Sequence, residues 1–226
     1  MENIKSGLKI FESKKHVFWQ AFFLTLLFFF LGLVLGVYLE QTRIDNTNIA
    51  FYQSEASLYD SFAIGKLLDN PFVSCEDLEK ASIDFANQIY EEARELERFD
   101  DSNKITESLK TIHRKYDLLR TLLWMNVIEI KEKCGGINTV VYLYMYDEEN
   151  LQVRSKQVVW AKILQDLKDE RGDDVILIPI AIDQNIVSLD YLVRTYGARE
   201  FPAVVINEKE VLYDHKLVEE FDKYLD

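Results

Sequence analysis

The side chains able to do chemistry are few and far apart. Cys75 and Cys134 are the only thiols among the 226 residues. Cys75 falls in the first turn of one predicted helix and Cys134 at the end of the next. In an antiparallel pair those two ends lie on the same side, so a bond between them is geometrically allowed. Three states are open to the pair. A structural disulfide would close a loop of about sixty residues, worth roughly 4 kcal/mol in the chain-entropy model. Two free thiols are the second. The third is a redox-active couple, with the Cys75 thiol acidified by the helix N-terminus. The histidines, His16, His113 and His215, are distant from one another. None sits in a ligand pattern, so no metal is expected. Asp147-Glu148-Glu149 crowds three carboxylates and reads as a solvated loop. There is no P-loop, no GxGxxG and no Ser-His-Asp signature, so no cofactor is expected. No Asn-x-Ser/Thr sequon occurs.

The elements that hold these residues begin with an apolar run. From His16 to Leu39 there is no Asp, Glu, Lys or Arg. At about 1.5 Å per residue, that run is long enough to cross a hydrocarbon core of about 30 Å. A signal peptide has an apolar region of only about 7–15 residues that ends in small residues. Here the run is longer and no Ala-x-Ala follows, so residues 17–39 are predicted to be an uncleaved transmembrane anchor. Lys5, Lys9, Lys14 and Lys15 precede it and only Arg43 follows closely. Lysine and arginine favour the cytoplasmic side, which predicts a cytoplasmic N-terminus over 1–16 and an extracytoplasmic remainder in a single-pass cell-membrane protein. Trp19 and Tyr38 stand where interfacial aromatics belong. Gly32 and Gly36 form a GxxxG that would let two helices approach closely, one route to a homodimer.

Net charge is −13, and because the first sixteen residues are at +2, the rest is at −15. An exterior of that sign repels phosphate, which argues against nucleic acid and anionic lipid as partners. Solubility is the simpler reason for it.

Residues 44–136 read as a helical module. Ile49, Tyr52, Ala56, Tyr59 and Ala63 recur at spacings of three and four, predicting a helix over 44–70 that Asn70-Pro71 interrupts. Ser74 is a good N-cap for a second helix, with Glu76, Asp77 and Glu79 in the first turn, where the helix dipole favours acids. That helix carries Leu78, Ile83, Ala86, Ile89 and Tyr90 and is predicted to break at Phe99-Asp100-Asp101-Ser102. A third has Ile105, Leu109, Ile112, Tyr116, Leu119, Leu123, Val127 and Ile130 on one stripe and ends at Cys134-Gly135-Gly136.

From Ile137 the pattern changes. Thr139 to Tyr146 is rich in β-branched and aromatic residues and predicts a strand. Residues 151–170 form an amphipathic helix bearing Val153, Val158, Val159, Ile163, Leu164 and Leu167. Val175 to Ile182 is a second strand, Leu189 to Tyr196 a helix ended by Gly197, and Phe201 to Ile206 a third strand. Asn207-Glu208-Lys209-Glu210 turns into a fourth, Val211 to Tyr213, and Leu217 to Leu225 is a last helix. The order over 137–226 is βαβαββα.

That order, together with Tyr196-Gly197-Ala198-Arg199-Glu200-Phe201-Pro202-Ala203-Val204-Val205-Ile206, resembles the thioredoxin family, which writes Tyr-Gly-x-x-x-(apolar)-Pro-Thr before its third core strand. Ile182-Asp183-Gln184-Asn185 is similar to its text after the second strand. The resemblance implies an α/β thioredoxin-like C-terminal domain and puts the second strand at the sheet edge. An edge is where Pro179, which has no N–H to give a ladder, belongs. It also implies a cis bond at Pro202, with the backbone of Phe201 offered to an extended peptide. Two departures matter. Where the family carries Cys-x-x-Cys, this chain reads Asp147-Glu148-Glu149-Asn150-Leu151-Gln152, and the thiolate is the nucleophile of disulfide exchange. The buried acid of the preceding strand is also missing: Tyr142, Tyr144 and Tyr146 occupy that region. Ala203 replaces the usual Thr. Exchange at the family site is therefore expected to be lost, with no catalytic residue there.

These readings favour a membrane-anchored, non-catalytic, thioredoxin-like protein that binds a protein or peptide beside Phe201 and Pro202. Two others stay open: an oxidoreductase that uses Cys75 and Cys134, and a structural subunit of an envelope complex.

Overall fold

A computed structural model describes residues 14–100 and 107–225. Most of the 1–16 segment, and the Asp101-Ser102 and Ile105 positions of the helical module, lie outside the described residues. The chain divides into two units, Met1–Ile49 and Ala50–Asp226.

The first helix, α1 (Lys14–Leu67), runs without a break for 54 residues. The separate helix expected over 44–70 is thus its continuation. Arg43 to Ala63 contains neither Pro nor Gly, so nothing stops the propagation that adds one hydrogen bond per residue. His16–Thr42 is long and apolar enough to cross a membrane. Its side chains are exposed all round. Around Gly32 and Gly36 nothing approaches the place a Cβ would take.

In the second unit the C-terminal turns of α1 meet α2 (Cys75–Asp100) and α3 (Glu107–Cys134). The residues whose spacing predicts this helix are not the ones it buries. Ile49, Tyr52, Ala56, Tyr59 and Ala63 are exposed, and Ser54, Ser57, Ser61, Ile64 and Leu68 are buried. Serines work inside because their hydroxyls find partners there. Ser57 Oγ donates to Glu92 Oε1 at 3.1 Å and accepts from Gln88 Nε2 at 3.1 Å. Asn126 Nδ2 donates to the Ser61 carbonyl at 3.0 Å. On α3 the expected stripe holds at Ile112, Tyr116, Leu119, Leu123, Val127 and Ile130, all buried. Ser74 caps α2 as expected, its Oγ accepting from Asp77 N at 3.1 Å.

A four-stranded mixed sheet follows. Strands β1 (Asn138–Tyr144), β2 (Val175–Ala181), β3 (Ala203–Ile206) and β4 (Glu210–Leu212) lie in the order β2-β1-β3-β4. β1 pairs parallel with β2 and antiparallel with β3, and β3 pairs antiparallel with β4. Helix α4 (Leu151–Arg171) connects β1 to β2, and α5 (Val187–Thr195) lies between β2 and β3. The helix expected at the C-terminus is instead a 3-10 helix over Val218–Lys223, a form suited to one or two turns.

Each face of the sheet has its own core. One face sets Val141, Leu143, Ile178, Ile180 and Val205 against α2, α3 and α5. The other sets Val140, Tyr142, Val204 and Ile206 against Trp160 and Leu164 of α4 and against Phe221. The segments 44–136 and 137–226, which differ in sequence pattern, share the first of these cores.

β2 is an edge strand, and its outward side is blunted in three places, which limits pairing with other chains. Pro179 has no N–H to offer. Lys168 Nζ donates to the Val175 carbonyl at 3.0 Å, and Ala181 N–H donates to Asp117 Oδ1 at 3.1 Å.

Candidate functional site

Because β1 and β2 run parallel and β3 opposes them, three connections meet at one end of the sheet. These are the β1–α4 turn (145–150), the β2–α5 turn (182–186) and the segment that enters β3 at Phe201-Pro202.

Each connection is pinned by a named side chain. Gln157 of α4 clamps Met145 at two points: its Nε2 donates to the Met145 carbonyl at 3.0 Å and its Oε1 accepts from Met145 N at 2.9 Å. Asp183 accepts from Tyr146 N at 3.0 Å and from Asp147 N at 2.8 Å, tying the first turn to the second. Asn150 caps α4, its Oδ1 accepting from Gln152 N and Val153 N at 2.9 and 3.4 Å. Tyr213 holds the third segment, its hydroxyl donating to the Gly197 carbonyl at 3.3 Å and accepting from Arg199 N at 3.2 Å. Gly197, at φ 77°, turns the chain out of α5, a conformation that costs glycine little.

Phe201 follows, half-buried against the first core, and Pro202 is buried. The bond between them is cis. Leu151 and Val187, the first residues of α4 and α5, are 74% and 70% exposed at this same end. Two of the three carboxylates of the β1–α4 turn are engaged: Asp147 pairs with Lys110 at 3.3 Å and Glu148 accepts from Asn150 N at 2.8 Å.

α3 crosses the same end. The His113 ring lies 4.8 Å from that of Tyr146, and Arg114 Nη2 donates to the Asn185 carbonyl at 3.0 Å. Asp117 is 2% exposed. Burial pushes its carboxyl up to about 6, against the lowering effect of Arg120 at 3.3 Å and of the Ala181 N–H. An acid was expected to be missing from this region because only the strand was considered; α3 brings one in. The helical spacing signals it: Asp117, Thr121 and Trp124 fall at i, i+4 and i+7, and the latter two are fully buried.

The two cysteines lie elsewhere. Cys75 and Cys134 form a disulfide that joins the start of α2 to the end of α3 across a separation of 59 residues. Cys134 precedes β1, whereas the turns described above follow it. The seven residues of β1, at about 3.3 Å each, set roughly 20 Å between those ends. Of the expected residues, the chain therefore brings Phe201 and Pro202 together at one end and Cys75 and Cys134 at the other. His215 Nε2 donates to the Lys156 carbonyl at 3.1 Å and packs edge-on to Trp160, far in sequence from His113. Among the described residues, no three His, Cys, Asp or Glu side chains converge on a common point.

No family model, curated protein or solved structure matches this chain.

Proposed function

We propose that this chain is a single-pass membrane protein whose thioredoxin-like domain, set outside the cytoplasm, binds a protein or peptide without thiol chemistry. The observation that carries this reading is the makeup of one sheet end. Phe201 enters β3 there beside exposed Leu151 and Val187, and the adjoining β1–α4 turn is Asp-Glu-Glu-Asn rather than a dithiol. Apolar side chains flanking ordered turns suit an extended peptide, whose side chains fill pockets while its backbone hydrogen-bonds. The edge position of β2, with Pro179 in it, supports the thioredoxin-like reading.

Two independent features support the topology. Four lysines precede the apolar helix, and the Cys75–Cys134 disulfide is of the kind that persists in oxidising compartments. That bond joins two helix ends and so fits a structural role better than a catalytic one.

The test is photocrosslinking in intact cells, with benzoylphenylalanine at position 201 and, as a control, at Phe72, which is 94% exposed in the α1–α2 connection. A discrete adduct at 201, absent at 72 and competed by unfolded or thiol-rich peptide, is expected. No adduct to any client at 201 would sink the proposal.

A further inference from the structure

Beside the edge strand, away from Phe201, α2 and α4 stand apart and leave a cavity of about 440 Å³ with Leu177 and Pro179 in its wall. Tyr90 of α2 bridges the gap, its hydroxyl donating to Gln165 Oε1 of α4 at 3.0 Å. The cavity is mainly apolar, with Ala161, Leu164 and Val158 on the α4 side. Its size falls within the range of small-ligand sites, roughly 300–1,000 Å³.

Its charge runs against that of the chain. Acids outnumber bases by 39 to 26 overall, yet Arg94, Arg120 and Arg154 all line this cavity, from three different helices, and among the described residues no carboxylate does. Two of them are partly neutralised: Arg94 by Glu91 at 2.8 Å and Arg120 by Asp117 at 3.3 Å. Arg154 has no ion pair among the described residues. A guanidinium has five N–H donors in a planar fork that matches a carboxylate, so even the paired arginines keep donors to offer. The neighbouring Tyr142 and Tyr144 rings stack at 5.3 Å and give the wall a flat aromatic surface. Burial, and then the nearby Tyr144, pushes the Tyr142 phenol up, so that it stays neutral.

We infer that this cavity binds a small organic acid: a carboxylate held by Arg154 with Arg94 and Arg120, on an aromatic or branched apolar body that rests against Leu177, Val158 and the two tyrosines. The three arginines are the exception to the repulsion that the acidic exterior imposes on anions elsewhere. Gln157 lines this cavity and also pins Met145 at the Phe201 end, but binding here does not rest on the function proposed for that end.

The test uses the full chain in nanodiscs of zwitterionic lipid, titrated calorimetrically with 2-naphthoate and with its neutral analogue 2-naphthamide. One naphthoate per chain is expected, bound at least tenfold more tightly than the amide. Arg154→Glu should weaken naphthoate at least tenfold with an unchanged thermal midpoint, because Arg154 is exposed. Val158→Glu, at a position 69% exposed, should do the same by placing a carboxylate in the cavity. Equal binding of acid and amide, no binding of either, or naphthoate binding that both variants leave untouched would overturn the inference.

Discussion

The two ends of the sheet are built differently. Where β1 begins, polar groups are cross-linked several times over. Asn207, 3% exposed, has its Nδ2 donating to Asn138 Oδ1 and the Tyr224 carbonyl, at 3.0 and 2.9 Å. Its Oδ1 accepts from Lys131 Nζ and Thr139 N, at 2.8 and 3.0 Å. Glu208 accepts from Trp124 Nε1, Thr139 Oγ1 and Lys131 Nζ, at 3.0, 2.7 and 3.0 Å. The disulfide ties α2 to α3 where α3 leads into this end. Where β1 finishes, Gln157 and Asp183 hold the first turn, Asp183 ties it to the second, Tyr213 holds the third segment, and apolar residues stand exposed among them. A buried network of well-partnered polar groups is rigid and specifies one arrangement; surface turns on a fixed scaffold are where binding residues sit. The contrast agrees with the function proposed above, in which the first end, with the cysteines, is the frame and the second is the place of recognition.

The largest effect should come from the closed end. Replacing both cysteines by alanine frees the 59-residue loop and should lower stability by about 4 kcal/mol, read as a shift of the denaturation midpoint. An unchanged midpoint would mean that the bond is not structural. Asn207→Ala comes next. It removes four hydrogen bonds and places alanine at φ 51° in the Asn207-Glu208 hairpin turn, which should cost about 3 kcal/mol. A loss below about 1 kcal/mol would show that the closed end is no more tightly knit than the other.

A shift of similar size comes from the open end, and its size depends on pH. The Asp117 carboxyl is raised in the folded chain to about 6, so between about pH 4 and 6 the folded state holds a proton that the unfolded state has released. Stability contributed by this group is therefore greatest at low pH and falls as pH rises through that window. Asp117→Asn should match the parent near pH 4 and exceed it by about 3 kcal/mol at pH 7.5, since each of the roughly two pKa units corresponds to about 1.4 kcal/mol. A difference independent of pH would remove burial as the dominant influence on this acid.

How far the sequence could be read follows the same contrast. β-Branched and aromatic content located the strands because both sheet faces are buried by ordinary apolar side chains, as in Val140 and Val141. The fourth strand is displaced by one residue, to Glu210–Leu212. Pro179 announced an edge because a missing N–H admits few positions. On α1 the apolar spacing marks the helix but not its buried face, since Ser54, Ser57 and Ser61 face inward and Tyr52, Tyr59 and Phe62 outward. Small hydroxyls pack inside when Glu92 and Asn126 meet them, and those partners lie on other helices, beyond any local pattern. Asp117, Gln157 and Tyr213 escaped for that reason too: each acts on backbone distant in sequence. The Asn150 cap was legible from Asn before an apolar-periodic helix and was passed over. The arginines of the cavity come from three helices, and only the fold places them together.

The most direct test is to combine the two ends in one experiment. The Cys75→Ala/Cys134→Ala chain, with benzoylphenylalanine at position 201, is expressed at a temperature where circular dichroism shows the native helix content. The account predicts the same client adduct, in similar yield, as in the parent chain. Loss of the adduct in a chain that remains folded would contradict it, because the cysteines would then belong to the recognition chemistry and not to the frame.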